Sequence, residues 1–377
     1  MTKAKSAVLV GPHSLEIREL PVPELQPDSV LLRIEASGVC GTDRHLYHGR
    51  ATMPYPTPLG HEIVARVEAV GRDARANITV VGGELEPGTR VAVLPGQKPC
   101  GQCYACRHLP ARPVLCSSRN AYGFCNAADH PYLTGGWADY LIAVPGSWLY
   151  VLPESMALER AVLVEPLATA MRAIERALVP GMSNLREGFG FGQSAAVVGA
   201  GTIGLCATAA LSALGANPLI VVDVVDERLR LARDLGATHV VNSSSTSSAE
   251  EREATVQALT EGVGVDIVVE AAGVPVAFSE SLRLVRRGGA ICEVGHFVDT
   301  GTIQLHPYDI CFKDVSIFGS FAFPATEFRV AIALLRDSPL PMERLVHAQY
   351  PVSGAEQSIL ELDDPTHVKH VIVPGAH

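Results

Sequence analysis

Apolar and polar positions follow two different rhythms along this chain. Up to about residue 150, short alternating runs such as Val30–Glu35 and Arg90–Leu94 sit between clusters rich in proline and glycine. Alternation bounded by turn residues is the signature of half-buried strands, so this part predicts a mostly β domain. From about Ala161 the rhythm changes, with apolar runs at Ala195–Val198, Leu219–Val222, His239–Val240, Asp266–Val269 and Ala290–Val294 separated by segments of helix length. Strand and helix in alternation predict a parallel, doubly wound sheet. Beyond about Phe312 an amphipathic helix near Ala325–Asp337 and a last strand at His370–Val373 remain, and these can rejoin the first domain. Ser243–Ser248 reads as a polar loop ahead of a helix around Glu250–Leu259.

Ser194 to Val222 carries no charged residue and exceeds the roughly 20 residues that a membrane span needs. Gly199, Gly201, Gly204, Gly215 and Pro218 nevertheless cut it into strand, helix and strand, so it is expected to be buried in protein and not in lipid. The 377 residues, 47% hydrophobic and 19% charged, have ordinary globular composition, which excludes disorder, collagen and coiled coil. Thirty Lys and Arg against forty Asp and Glu give a formal charge of −10, no field for a nucleic-acid backbone. The opening Met1–Lys5 leads into strand-like sequence without the apolar stretch of an export signal, and a cytoplasmic location is expected.

Chemistry enters with Val197-Val198-Gly199-Ala200-Gly201-Thr202-Ile203-Gly204, a G-x-G-x-x-G turn between an apolar run and a helix. A second apolar run then ends at Asp223, nineteen positions after Gly204. This combination is a dinucleotide fingerprint: Gly199 for the tight turn, Gly201 for close approach to a pyrophosphate, Gly204 for helix-strand packing, and helix amides for the phosphates. Asp223 is positioned to accept ribose hydroxyls. A 2′-phosphate would meet its like charge, and Val224 and Val225 offer no arginine in compensation, so NAD is favoured over NADP.

Of nine cysteines, Cys100, Cys103, Cys106, Cys116 and Cys125 crowd one segment. In a reducing compartment this spacing points to metal, and four thiolates suit a closed, tetrahedral structural zinc. Cys116 is the expected fourth ligand, with Cys125 as its competitor. Cys206, Cys292 and Cys311 read as small buried hydrophobes. Cys40-Gly41-Thr42-Asp43-Arg44-His45, Gly60-His61-Glu62 and Glu165-Pro166 add a thiol, imidazoles and carboxylates, a set that matches an open zinc site.

These segments, together with Lys369–Pro374, resemble the zinc-dependent medium-chain dehydrogenase/reductase family nearly end to end. The resemblance implies a GroES-like, mostly β catalytic domain over residues 1–165, completed by 313–377, and a Rossmann NAD-binding domain over 166–312. It implies two zinc ions, one catalytic and one structural. Cys40 and His61 would be catalytic zinc ligands, Glu62 and Glu165 would share or exchange the third position, and water would complete the shell. Thr42 would take the alcohol proton and relay it through the nicotinamide ribose to His45. Asp43 would orient His61, and Thr169 would touch the nicotinamide. By the same analogy Tyr47, His48, Phe297 and Ser320 are candidate pocket walls, and the protein would be a dimer or tetramer.

Two features depart from the family pattern. Nine residues separate Cys106 from Cys116 where seven are usual, and a glycine-rich connection, Pro180–Gln193, precedes the first Rossmann strand. Tyr122–Leu133 fits either a wall of the substrate cleft or a solvent loop. The expected activity is an NAD-dependent oxidation of a secondary alcohol, of the polyol, sugar or cyclitol kind, to its ketone. A zinc-free quinone or enoyl reductase is disfavoured by the intact ligand set. A zinc and dinucleotide binding protein without turnover is distinguishable only by assay.

Overall fold

The computed structural model describes residues 3–129, 131–177, 192–246 and 248–375. Most of the Pro180–Gln193 connection lies outside them. The chain divides into two compact units, one of Met1–Glu165, Pro324–Arg336 and Val346–His377, the other of Pro166–Phe323 and Asp337–Leu345.

The first unit is β-rich. Its main sheet runs in the order Val346–Tyr350, Lys369–Ile372, Val30–Val39, Glu62–Val70, Arg90–Val93, Trp148–Val151, Thr79–Val81, with Tyr140–Ala143 paired to Val30–Val39. A smaller sheet is formed by Ser14–Pro21, Lys3–Gly11 and Thr57–Pro58. Alternating burial along Val30–Val39 places Val30, Leu32 and Ile34 in one core with Ile63, Ala65 and Val67 of the neighbouring strand. A second core joins the two ends of the chain, with Leu46, Leu59 and Trp137 against Tyr350, Ile359 and Ile372.

The second unit holds a six-stranded sheet in the order His239–Asn242, Leu219–Asp223, Ala195–Val198, Val265–Glu270, Val285–Glu293, Ser316–Gly319, every neighbouring pair parallel. Numbered along the chain this order is 3-2-1-4-5-6, the doubly wound arrangement whose strand order reverses between the first and fourth strands. The central strands are buried on both faces, which is why they read as unbroken apolar runs. The helix Thr202–Ala213 is rich in small residues and packs closely on this sheet. It is only 12 residues long, and among the described residues no helix is long and apolar enough to cross a membrane.

The sheet extends past the boundary expected at residue 312, because Ser316–Gly319 forms its sixth strand and the compact unit continues to Phe323. This edge strand is largely exposed, so it lacks the apolar run that marks the inner strands. The helix Thr326–Asp337 and the strand Lys369–Ile372 belong to the first unit, Asp337 apart.

Trp137 is the largest fully buried side chain of the first unit, and its indole Nε1–H donates to the Gly38 carbonyl at 3.1 Å. Trp137→Ala is expected to cost about 3–5 kcal/mol, read as a lower urea midpoint with an unchanged slope.

Candidate active site and metal centres

Cys40 follows the strand Val30–Val39 and caps the helix Gly41–Tyr47. Its amide donates to Asp43 Oδ2 at 2.9 Å, while Asp43 Oδ1 lies 3.5 Å from His61 Nδ1. One fully buried carboxylate thus takes an amide at the start of the helix and faces an imidazole that precedes the adjacent strand. Burial disfavours the charged imidazole, but Asp43 outweighs it and holds the His61 proton well above the ordinary range. The ligand atoms of Cys40, His61 and Glu62 all lie within 4.8 Å of one another.

Glu62 is ion-paired to Lys369, and both side chains are wholly buried. Lys369 Nζ also donates to the Val39 carbonyl at 3.1 Å. Gly38 makes room for the pair, since a Cβ there would lie 1.7 Å from Glu62 Oε2 and 2.9 Å from Lys369 Cε. Beyond the Lys369 ammonium, the Glu62 oxygens have no hydrogen-bond partner among the described residues. Thiol, imidazole and a buried, under-satisfied carboxylate form a donor set that fits zinc. Glu165, at the start of the helix Val164–Glu175, stands outside the 4.8 Å group. Burial pushes its carboxyl up to about 7, with His61 opposing and Glu62 adding to the shift. The terminal motif Lys369–Pro374 includes Lys369 but gives it no place in the site; its pairing with Glu62 is set by the tertiary fold.

Thr42 and His45 are three residues apart on the helix Gly41–Tyr47, both partly buried. Burial and then Arg50 and Arg44 lower the His45 pKa, and its Nδ1 is buried without a hydrogen-bond partner. The segment Tyr122–Leu133 is anchored at both ends, by fully buried Tyr122 and Leu133. Its Phe124 ring lies 5.1 Å from the His61 ring, which makes Phe124 part of the site's wall. Tyr47 and His48 are committed elsewhere: the Tyr47 hydroxyl donates to Glu356 at 2.8 Å, and His48 packs on His13 and Tyr47. In the second unit Phe297 is 43% exposed, and the Ser320 amide donates to the Glu293 carbonyl.

The cysteine lobe gathers Cys100, Cys103, Cys106 and Cys116, their sulfurs all within 4.8 Å. The Cys100 amide donates to Cys116 Sγ at 3.3 Å and the Cys103 amide to Cys100 Sγ at 3.4 Å. Amides of Cys106 and Ser117 lower Cys103 to about 6, whereas burial and the neighbouring thiols push Cys106 up to about 12. Deprotonated together, four sulfurs at such separations would need a cation between them, and the set fits a closed zinc site. The two additional residues are absorbed by the exposed stretch 107–112, after which the turn Pro113–Leu115 returns the chain to Cys116. Cys125 is not in the group; its thiol donates to the Ala121 carbonyl at 3.2 Å.

In the second unit Gly199 adopts φ +95°, and a Cβ on Gly204 would fall 1.7 Å from the Gly199 carbonyl oxygen, so the turn into Thr202–Ala213 admits no side chain there. Gly201 caps that helix, with Thr202 and Ile203 in its first turn. Asp223 ends the adjacent strand and takes the amides of Ala200, Val224 and Val225 at 2.5, 2.7 and 2.9 Å. These bonds orient its carboxylate beside the glycine turn. Thr169 is partly buried on the helix Val164–Glu175.

Residues 26–154 match the alcohol dehydrogenase GroES-like domain and residues 202–337 match the zinc-binding dehydrogenase domain. The chain is 31% identical to a sorbitol dehydrogenase of Bacillus subtilis over 94% of its own length and 92% of the relative's. It superposes on an alcohol dehydrogenase from Thermotoga maritima with a TM-score of 0.89 at 27% identity, covering 99% of this chain and 100% of the other. A zinc-binding dehydrogenase from Sinorhizobium meliloti, solved bound to NADP, gives 0.83 at 27% identity with coverages of 99% and 100%. The chain therefore belongs to the zinc-dependent medium-chain dehydrogenase/reductase family.

Cys116→Ser is expected to hold one zinc ion fewer per chain and to melt lower, whereas Cys125→Ser keeps both metal content and melting temperature. Metal analysis and thermal unfolding of the two variants check this, and equal zinc loss in both would overturn the grouping.

Proposed function

We propose that the protein is a zinc- and NAD-dependent dehydrogenase that interconverts a secondary alcohol of the polyol, sugar or cyclitol class and its ketone. The observation that carries this reading is the convergence of Cys40, His61 and Glu62 within 4.8 Å, in a chain that also holds the glycine turn and Asp223. When bound, zinc lowers the pKa of a coordinated hydroxyl and the nicotinamide accepts a hydride.

In this reading Cys40 and His61 hold the metal, with Glu62 or Glu165 as the third protein donor. Asp43 keeps the His61 ring oriented, and Phe124 shields that ring from water. Thr42 takes the alcohol proton and His45 passes it to solvent, a relay suited to a histidine whose surroundings disfavour a resident proton. Thr169 contacts the nicotinamide. Cys100, Cys103, Cys106 and Cys116 hold a structural zinc.

Support for a polyol comes from the sorbitol dehydrogenase relative. Support for NAD comes from Asp223, whose carboxylate would repel a 2′-phosphate. The Sinorhizobium relative was solved with NADP, so the preference is a property to be measured on this chain. The exposed edge strand Ser316–Gly319, with Ile317, Phe321, Phe312 and Tyr308 exposed on and beside it, supports a homodimer or homotetramer.

Initial rates with NAD and NADP on sorbitol, inositols, aldoses, threonine and butanediol test the assignment: turnover with NAD on one polyol or sugar class is expected. Silence across the panel, with zinc and NAD bound, would favour a binding protein without turnover. Asp223→Ala is expected to raise the NADP-to-NAD ratio of kcat/KM by roughly tenfold or more, the scale of one removed like-charge contact; an unchanged ratio would show that another residue reads the ribose. Light scattering of the purified chain is expected to give two or four times its 40.0 kDa mass, and a monomer would refute self-association.

A further inference from the structure

A third group of ligand-type side chains lies in the second unit, apart from the cysteine lobe and the Cys40 site. Glu270 ends the strand Val265–Glu270, Glu293 ends the neighbouring Val285–Glu293, and the two residues are partners in register. His296 follows three positions later. The ligand atoms of all three lie within 4.8 Å of one another.

Glu270 Oε1 is already satisfied by the amides of Ala272 and Gly273 at 2.8 and 3.0 Å. Its Oε2 belongs to a fully buried side chain, receives no N–H or O–H donor apart from a proton shared with the Glu293 carboxyl, and lies 3.5 Å from His296 Nδ1. Glu293 Oε1 accepts the His296 amide at 3.2 Å and lies 2.8 Å from His296 Nδ1, while Glu293 Oε2 is buried without a further partner. No lysine or arginine of the described residues comes within ion-pair distance of either carboxylate.

Two adjoining carboxylates in such surroundings require a cation. Burial, the Glu293 charge and a hydrogen bond shared with the Glu293 carboxyl push the Glu270 carboxyl up to about 8, so a proton is one cation available at neutral pH. A proton bridges at most two of the converging atoms, whereas a metal ion meets one donor from each residue. From His296 Nδ1 it is 2.8 Å to Glu293 Oε1, a hydrogen bond in this ion-free arrangement, and 3.5 Å to Glu270 Oε2, close enough that small shifts reach the edges of about 3.0–3.4 Å expected between donors held about 2.1 Å from a common ion.

We propose that Glu270, Glu293 and His296 form a third metal site, for a divalent transition cation such as manganese(II) or zinc. The site stands at the carboxyl ends of the fourth and fifth strands of the doubly wound sheet, the side on which such sheets receive ligands. The Glu293 and His296 side chains are 20% and 25% exposed, which gives the ion a way in and leaves coordination positions to water.

Manganese(II) reads this site separately from the two sulfur-containing ones, because thiolate donors retain zinc against it. Titration of protein prepared with two zinc ions per chain, which the thiolate-containing sites retain, with manganese(II), followed by loss of the free-ion electron paramagnetic resonance signal, is expected to show about one manganese ion bound per chain. Glu293→Gln and His296→Ala, both at partly exposed positions, are each expected to weaken that binding at least tenfold while the two zinc ions of the sulfur-containing sites stay bound. Glu270→Gln keeps an acceptor for the Ala272 and Gly273 amides and is expected to do the same. The proposal is overturned if the wild-type protein takes up neither manganese(II) nor zinc beyond its two other sites between pH 6 and 8.5, the result of a cluster held by protons. It is equally overturned if the variants bind manganese(II) as the wild type does. Failure of the Cys40 or cysteine-lobe assignments would appear instead as a low initial zinc content.

Discussion

The first unit depends on the closure of the chain's two ends, in which the final strand Lys369–Ile372 pairs antiparallel with Val30–Val39. That register delivers the Lys369 ammonium to Glu62 across more than three hundred residues of sequence. Removing one member of a wholly buried ion pair leaves an uncompensated charge, at a cost of about 3–5 kcal/mol. The strands therefore have little freedom to slip: a shift of one residue would turn Lys369 away from Glu62 and close the space that Gly38 leaves open. The metal-type donors Cys40 and His61 stand at the ends of the same strands, so the site inherits the register that the ion pair requires.

Carboxylates at strand ends and helix starts recur throughout the molecule with divided duties. Asp43 takes the Cys40 amide with one oxygen and faces His61 with the other. Asp223 takes three backbone amides around the glycine turn. Glu270 holds the turn after its strand with one oxygen and turns the other toward His296. In each case backbone donors fix the carboxylate before any ligand arrives, so little reorganisation is needed on binding. The arrangement suits a family that varies its substrates on a constant frame, because the oriented groups rest on strands and caps rather than on free loops.

The glycine turn illustrates how a short motif carries a tertiary requirement. Gly204 is excluded from bearing a side chain by the Gly199 carbonyl, and Gly199 by its positive φ and by the backbone of Ala272. Helix, strand and the turn after the fourth strand thus meet at one point, where the strand order reverses and where the Glu270 cluster begins.

What the sequence determined by itself was local: the change from alternating to unbroken apolar runs, the G-x-G-x-x-G turn followed by Asp223, and the spacing of Cys100, Cys103 and Cys106. Each is legible because backbone geometry and ligand reach act over a few residues. Tertiary structure alone decided the rest. It placed the Cys116 sulfur beside those of Cys100, Cys103 and Cys106, because the exposed stretch 107–112 and the turn that follows lead back to them, and left the Cys125 thiol donating to the Ala121 carbonyl. It extended the parallel sheet to Ser316–Gly319, an edge strand too exposed to show an apolar run. It committed Tyr47 to Glu356, and it brought Lys369 to Glu62 and His296 to Glu270 and Glu293. These contacts join different strands and helices, and their partners are set by strand register and helix packing, which no local pattern encodes.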